Sequence, residues 1–206
     1  MVRFQTGKKN TRVKKRKQKM MNRLTKRSNK VLTRDVINFS AIDMLHDPQS
    51  FAEKLFKQLE GITGDFEVKL LHIRLIARVV GVHKLVLYNF YPYLQRFITP
   101  QQRDVTMILQ AAAHCTHDLV PPEVIEETMR CIANNFITER NQGQVMAVGL
   151  NTVREMAKRN PLAIGEDLLQ DLTQYKKHID RGVTTAAKGL IQLYRQEAPM
   201  LLHKKV

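Results

Sequence analysis

The residues best able to bind another molecule are the positive charges at the start of the chain. The first 34 residues contain 14 Lys or Arg and no Asp or Glu, and the first acidic residue is Asp35. The remaining residues hold 20 basic and 19 acidic side chains, so almost all of the formal charge of +15 belongs to the opening segment. Because like charges repel one another, such a segment builds no core and is typical of an arm that binds a polyanion. The sequence predicts a basic arm, disordered or partly helical, over residues 1–34 and a near-neutral helical domain over residues 35–206.

The basic residues of the arm suit two kinds of partner. Exposed Lys and Arg bind the phosphates of RNA, and the run KKRKQK at 14–19 is also typical of a nuclear localisation signal that an import receptor binds. Phe4 is the one aromatic residue of the arm, which favours contacts with a nucleic-acid backbone over stacking on bases. A solvated linker and a basic helix on a membrane surface or on calmodulin are the weaker alternatives. The residues that we predict to bind RNA or an import receptor are Lys8, Lys9, Arg12, Lys14, Lys15, Arg16, Lys17, Lys19, Arg23, Lys26 and Arg27.

A second group of chemical interest is the triplet His114, Cys115 and His117. Imidazole and thiolate are ligands that zinc prefers, and two residues three apart share one face of a helix. Cys115 would point to another side of that helix, and no further Cys or His pair follows at zinc spacing. We therefore expect a helix end here and not a metal site. The sequence also lacks the motifs of a catalytic nucleophile, a phosphate-binding loop or a dinucleotide fold, so we predict a non-enzymatic protein without a cofactor.

Six further basic residues recur in the helical part of the chain and could line a weak RNA-binding groove. The alternative, which we favour from the sequence, is a solvated surface whose charge is balanced by neighbouring acids. These six residues are Arg74, Arg78, Arg154, Lys158, Lys188 and Arg195.

The segments that would position these side chains are amphipathic and recur at a nearly constant interval. When Val68, Val105, Val145 and Val183 are aligned, at steps of 37, 40 and 38 residues, apolar residues coincide again three and eight positions later. A shorter amphipathic segment precedes each of the four. A helix pair every ~38 residues predicts an all-α, HEAT-like solenoid of about four pairs, whose neighbours bury a shared core. An irregular helical bundle is the alternative.

Local signals predict where some of these helices begin and how closely they pack. Asp47 before Pro48 and the pair Pro121–Pro122 are typical helix starts. The stretch 99–102, Thr-Pro-Gln-Gln, has the spacing of a capping box and predicts a third start. Gly149 and Gly189 lie deep in second helices, where glycine costs about 1 kcal/mol relative to Ala, so we expect them to allow a close helix contact.

Composition also bears on the compartment. No apolar stretch approaches the ~18 residues that a membrane-spanning helix needs, and the basic N-terminus has no apolar signal-peptide core. Cys115 and Cys131 lie in apolar helical contexts, so we expect buried, reduced thiols. These features predict an intracellular protein with neither a membrane nor a small-molecule substrate as its partner.

Longer strings of this sequence resemble the SDA family, which is named from "severe depolymerisation of actin". The similarity extends over nearly the whole chain, and the arm takes part in it. The strings are VRFQTGKK (2–9), NFSAIDMLHDPQSFAEKL (38–55), LYNFYPYLQRFITPQQRDVT (87–106), HDLVPPEVI (117–125), ANNFITERN (133–141), LLQDLTQYKKHID (168–180) and AKGLIQLYR (187–195).

The resemblance implies a HEAT-like scaffold of the nucleus and nucleolus that has no catalytic residues. Its implied partner is the pre-60S ribosomal particle, with its rRNA and proteins, which needs such a factor to mature and to be exported to the cytoplasm. Members of the family are several times longer, so this chain corresponds to their central part and the arm to an internal linker.

A nuclear-transport adaptor of the importin-α kind is the main alternative, because it also joins a basic arm to helical repeats. That family uses three-helix repeats with Trp and Asn ladders, whereas this chain has predicted two-helix repeats and no Trp. An enzyme is the third and weakest interpretation.

Overall fold

The computed structural model describes residues 41–202, and within that range the chain is helical without a strand. The predicted boundary at residue 35 lies outside the described residues, as does the arm. The helical part is a compact unit that begins at Leu45. Its α-helices are α1 (Pro48–Gly61), α2 (Phe66–His83), α3 (Phe90–Gln95), α4 (Val105–Cys115), α5 (Pro122–Phe136), α6 (Gly143–Arg159), α7 (Glu166–Gln174) and α8 (Arg181–Glu197). Short 3₁₀ turns follow at Pro161–Ala163, Tyr175–Lys177 and Pro199–Leu201.

The eight helices form four consecutive pairs. The first helix of each pair packs on the second, so that α1 contacts α2, α3 contacts α4, α5 contacts α6 and α7 contacts α8. The second helices α2, α4, α6 and α8 also contact one another in chain order, and we call them the second-helix layer. The first helices α1, α3, α5 and α7 are the first-helix layer. This arrangement confirms the predicted all-α, HEAT-like fold.

The buried positions of the second helices repeat from pair to pair. The repeat starts at Ile73, Ile108, Met146 and Val183, at steps of 35, 38 and 37 residues. The residues three, four and seven positions after each start are buried too, which is the spacing of one helix face. They are Ile76, Ala77 and Val80 in α2, Ala111, Ala112 and Cys115 in α4, Gly149, Leu150 and Val153 in α6, and Ala186, Ala187 and Leu190 in α8.

The register predicted from the four valines is therefore wrong in three of the four pairs. It is right for α8, but it starts one residue early in α6, three early in α4 and five early in α2. In α2 the predicted core residues Val68 and Leu71 are 41% and 61% exposed. The cause is that α2 carries aliphatic residues on two faces, so its apolar segment begins before the face that packs against the core.

Two of the three predicted helix starts are confirmed. The Asp47 carboxylate accepts from the Ser50 amide at 3.2 Å, and this hydrogen bond lowers the pKa of Asp47. Pro122 begins α5 with Glu123 in its first turn. The predicted start at Thr99 is wrong, because the Gln102 amide donates to the Thr99 carbonyl in a turn and α4 begins only after Asp104, which has a φ of 55°.

The glycines of the second helices differ in what lies next to them. A Cβ atom on Gly149 would lie 2.7 Å from Phe136 Cβ, which confirms a close contact of α6 with α5. Gly189 instead lies under the flexible guanidinium of Arg154, 2.9 Å from the position of such a Cβ, so it marks no close approach of two backbones. The closest approach involves Gly81, which we did not predict: its missing Cβ would overlap the carbonyl oxygen of His114 in α4.

Polar side chains close the loops and helix ends between successive elements. Each donates to a backbone carbonyl that the secondary structure leaves without a partner, and together they link the second, third and fourth repeats. The bonds run from Tyr91 to Cys115 (2.8 Å), from Asn135 to Ile98 (2.6 Å), from Asn160 to Val120 (3.2 Å), from Tyr175 to Ile137 (3.1 Å) and from Tyr194 to Pro161 (3.0 Å).

The Tyr91 bond is expected to contribute measurably to stability. The Tyr91 ring is fully buried, and burial raises the pKa of its hydroxyl well above the usual range. Tyr91→Phe would leave the Cys115 carbonyl, in the last turn of α4, buried without this donor, so we expect the free energy of unfolding to fall by about 1–3 kcal/mol. Urea denaturation measures the change. The same substitution at Tyr88, which is 56% exposed, is the control, and an equal loss from both variants would contradict the role of the bond.

Candidate binding surfaces

The residues of the arm predicted to bind RNA or an import receptor, between positions 8 and 27, all lie outside the described residues. That prediction therefore depends on the charge pattern of the sequence alone.

The six predicted groove residues all lie in the second-helix layer. Arg74 and Arg78 belong to α2, Arg154 and Lys158 to α6, and Lys188 and Arg195 to α8. Five of the six are exposed. Arg154 is the exception: it is partly buried over Gly189 and donates to the Glu155 carboxylate at 3.1 Å.

The two helix layers carry opposite charge. The helices of the second-helix layer contain nine Lys or Arg and three Asp or Glu, a formal net charge of +6. The helices of the first-helix layer contain three basic and eight acidic residues, a net charge of −5. The net charge of the helical domain is thus close to zero because the positive charge of one layer offsets the negative charge of the other. A basic layer of this kind attracts anions, and the acidic layer attracts cations.

Part of the positive charge lies at the helix ends of the second-helix layer. The Arg159 guanidinium at the end of α6 donates to the His114 carbonyl at 3.1 Å. Partial burial lowers the pKa of the His114 imidazole, and the charges of Arg159 and Arg78 lower it further. Arg159 therefore joins the end of α6 to the last turn of α4, where the carbonyl end of a helix favours a cation, and it has a structural role besides any role in binding.

The triplet His114, Cys115 and His117 does not converge on one point. Cys115 is buried and its thiol lies 3.2 Å from the Ala112 carbonyl. His117 Nδ1 accepts from the Leu119 amide, so Nε2 carries the proton and donates to the Leu85 carbonyl at 2.8 Å. Across residues 41–202 no three metal-ligating side chains come together.

The two cysteines are free thiols in different surroundings. Cys115 is fully buried, and its burial raises the thiol pKa to about 12. Cys131 is only partly buried, so the prediction of a buried thiol is right for Cys115 and too strong for Cys131. Burial raises the pKa of Cys131 as well, and neither thiol has the lowered pKa of a reactive cysteine.

A cleft of about 570 Å³ lies between α5 and α7 in the first-helix layer. Its lining includes the apolar Ile137 and Leu168 as well as the ring of Tyr175, with the Glu139 and Asp171 carboxylates nearby. Burial raises the pKa of the Tyr175 hydroxyl, and these two carboxylates raise it further. Sequence reasoning missed the cleft, because its lining residues come from two separate segments, 133–139 and 168–178, and belong to no motif.

The second-helix layer also exposes aliphatic side chains at one end. Val68, Leu71, Leu75 and Val82 all lie on the outer side of α2, with Met107 on the neighbouring α4. The described parts of α6 and α8 expose no large apolar residue. The layer therefore has an apolar and basic part at α2 and a polar and basic part at α6 and α8. Within the range 41–202 no helix is both long and apolar enough to cross a membrane.

Comparison with known proteins gives the family. The family described as "SDA1, HEAT repeat" matches residues 1–179. The chain is 55% identical to Protein SDA1 homolog of Xenopus laevis over 205 residues, which are 100% of this chain and 30% of that protein. It is 55% identical to the Drosophila melanogaster SDA1 homolog over 168 residues, 82% of this chain and 24% of that protein. It is 45% identical to Protein SDA1 of Chaetomium thermophilum over 202 residues, 95% of this chain and 26% of that protein. The chain thus spans less than a third of the length of these relatives, and it belongs to the SDA1 family.

Proposed function

We propose that this chain is a non-enzymatic scaffold of the nucleus and nucleolus that pre-60S ribosomal particles need for maturation and for export to the cytoplasm. The proposal combines membership of the SDA1 family with the role that the resemblance implies. The single observation that carries it in the structure is the opposite charge of the two helix layers.

Two oppositely charged faces suit a partner that presents both signs of charge. A precursor particle exposes rRNA phosphates and the Lys- and Arg-rich proteins that bind them. The second-helix layer, with its net charge of +6, can face phosphates, while the first-helix layer, at −5, can face basic protein segments. A scaffold with such faces can bridge RNA and protein components without chemistry of its own.

The arm supplies the stronger RNA contact in this proposal, and an import receptor binds the same charges. Its 14 basic residues lie close together in the sequence, so one RNA strand can contact many of them at once. The polar and basic part of the second-helix layer, at α6 and α8, adds weaker phosphate contacts. An importin-α-like adaptor remains the rival, since it would use the helical surface for cargo and not for a ribosomal precursor.

Sedimentation of the tagged full chain in a nuclear extract tests the proposal. We expect the protein to comigrate with pre-60S particles and to move to the top of the gradient after ribonuclease treatment, because the particle is held together by RNA. The adaptor function predicts the reverse pattern, in which the protein migrates with soluble import receptors whether or not ribonuclease is added. That second pattern would overturn the proposed function.

A further inference from the structure

An exposed apolar stripe runs along α2. Val68, Leu71, Leu75 and Val82 are 41%, 61%, 37% and 47% exposed, and we call these four residues the apolar stripe. Their spacings of three, four and seven residues place them on one side of the helix. At a rise of 1.5 Å per residue the stripe is roughly 21 Å long. Among the described second helices, Met107 is the one other large apolar residue with this degree of exposure.

The stripe lies on the outer side of α2, away from the side that contacts α4. Gly81 marks the side of α2 that contacts α4, since it lies against the His114 carbonyl. At 100° per residue, the four stripe residues point roughly 80–140° away from the direction of Gly81. In the described chain each of α4, α6 and α8 packs on the second helix before it, whereas no helix of residues 41–202 occupies that position beside α2.

The surroundings of the stripe are basic. From Val68 to Val82, α2 contains Lys69, Arg74 and Arg78 and no carboxylate, and the neighbouring α4 has no carboxylate either. Arg74 and Arg78 are both exposed. At 100° per residue, Arg78 lies next to Leu71 at the edge of the stripe, and Arg74 follows on the side of α4. The one acid of α2, Glu67, is paired with Arg103 at 2.8 Å. A partner that covers the stripe therefore gains from acidic residues at its edges.

We propose that the apolar stripe is the docking site of an amphipathic, acidic α-helix supplied by a partner protein. Such a helix would place its apolar residues on the four aliphatic side chains and its carboxylates near Arg74 and Arg78, in the manner of helix-in-groove recognition. The stripe does not suit RNA, because it is aliphatic and has no aromatic ring on which bases could stack. It suits a second copy less well, because an antiparallel two-fold contact through this face would bring the arginines of both copies to the same edge. The inference does not depend on the ribosomal role.

Selection from a random peptide library tests this site, because it requires no candidate partner protein. A phage-displayed library of 16-residue peptides is panned on the full chain, and binders that also bind the Leu71→Glu variant are removed. We expect the remaining peptides to be net negative, with apolar residues at positions i, i+3, i+4 and i+7. For a synthetic peptide of this kind, Leu71→Glu and the double change Arg74→Glu, Arg78→Glu should each raise the Kd about tenfold or more. Leu162→Glu is the matched control. Leu162 is 74% exposed and is far from α2 in the sequence, so this variant should leave the Kd unchanged.

Three outcomes would overturn the proposal. The first is a set of Leu71-dependent peptides that are basic or lack helical periodicity, or no such peptide at all. The second is loss of binding to a fluorescent single-stranded RNA in the Leu71→Glu variant, which would make the stripe part of an RNA site. The third is a dimer of the wild-type chain in light scattering that Leu71→Glu dissociates, since a second copy would then be the occupant. Circular dichroism of each variant confirms that the helices are intact, as expected for changes at exposed positions.

Discussion

Replacement of Gly81 by alanine is expected to lower the free energy of unfolding by about 1–3 kcal/mol, even though alanine is the better helix former. The added Cβ would overlap the carbonyl oxygen of His114, which is a backbone atom and cannot turn aside as a side chain can. The helices α2 and α4 would have to separate, and the bond from Arg159 to the same carbonyl would be disturbed. Backbone conformation is not the cause, because none of the described glycines has a positive φ. Urea denaturation followed by far-ultraviolet circular dichroism measures the loss.

The control for this prediction is Gly61→Ala. Gly61 ends α1, and a Cβ added there would meet no atom within 4 Å. Helix propensity alone should then act, so we expect a stability that is unchanged or higher by up to about 1 kcal/mol. If Gly81→Ala also proves neutral or stabilising, the close approach of α2 and α4 is not a feature of the folded protein.

The helix pairs could be predicted from sequence because apolar residues recur at helical spacing over four repeats. The register could not, and α2 shows why. Val68 and Leu71 have the spacing of core residues, yet they are exposed, while the core face begins at Ile73. A pattern of apolar residues identifies a helix face but does not say whether the chain or a partner covers it. The residues that caused the wrong register, Val68 and Leu71, are therefore also residues of the apolar stripe.

The candidate site was predictable in its residue types but not in its arrangement. The sequence identifies Arg74, Lys158 and Lys188 as basic residues of second helices, and counting charges along the chain gives near neutrality after residue 34. The structure separates that count into a basic and an acidic layer, because acids concentrate in α5 and α7. Separation of this kind depends on which helices share a layer, and a linear count cannot show it.

RNA binding by the arm is expected to exceed that of the second-helix layer by a wide margin. In the arm variant, Lys14, Lys15, Arg16, Lys17 and Lys19 are changed to Gln. If all five contact phosphates of a single-stranded RNA, the slope of log affinity against log salt should flatten by roughly 3.5 units. At ~0.1 M salt that change corresponds to a loss of affinity on the order of a thousandfold. Fluorescence anisotropy with a labelled single-stranded RNA of mixed sequence, repeated at several salt concentrations, measures both quantities.

A layer variant with the same number of lost charges is the matched control. In it Arg74, Arg78, Lys158, Lys188 and Arg195 are changed to Gln, all of them exposed residues of the second-helix layer. These five are spread over the three helices α2, α6 and α8, whereas the arm residues are neighbours in sequence, so we expect one strand to contact fewer of the five at once. We therefore expect the slope of the layer variant to change by less than about one unit. The number of neutralised phosphates, and not the total charge of the chain, determines the slope. If the slope flattens in the layer variant and is unchanged in the arm variant, the RNA site therefore lies on the helices and not in the arm.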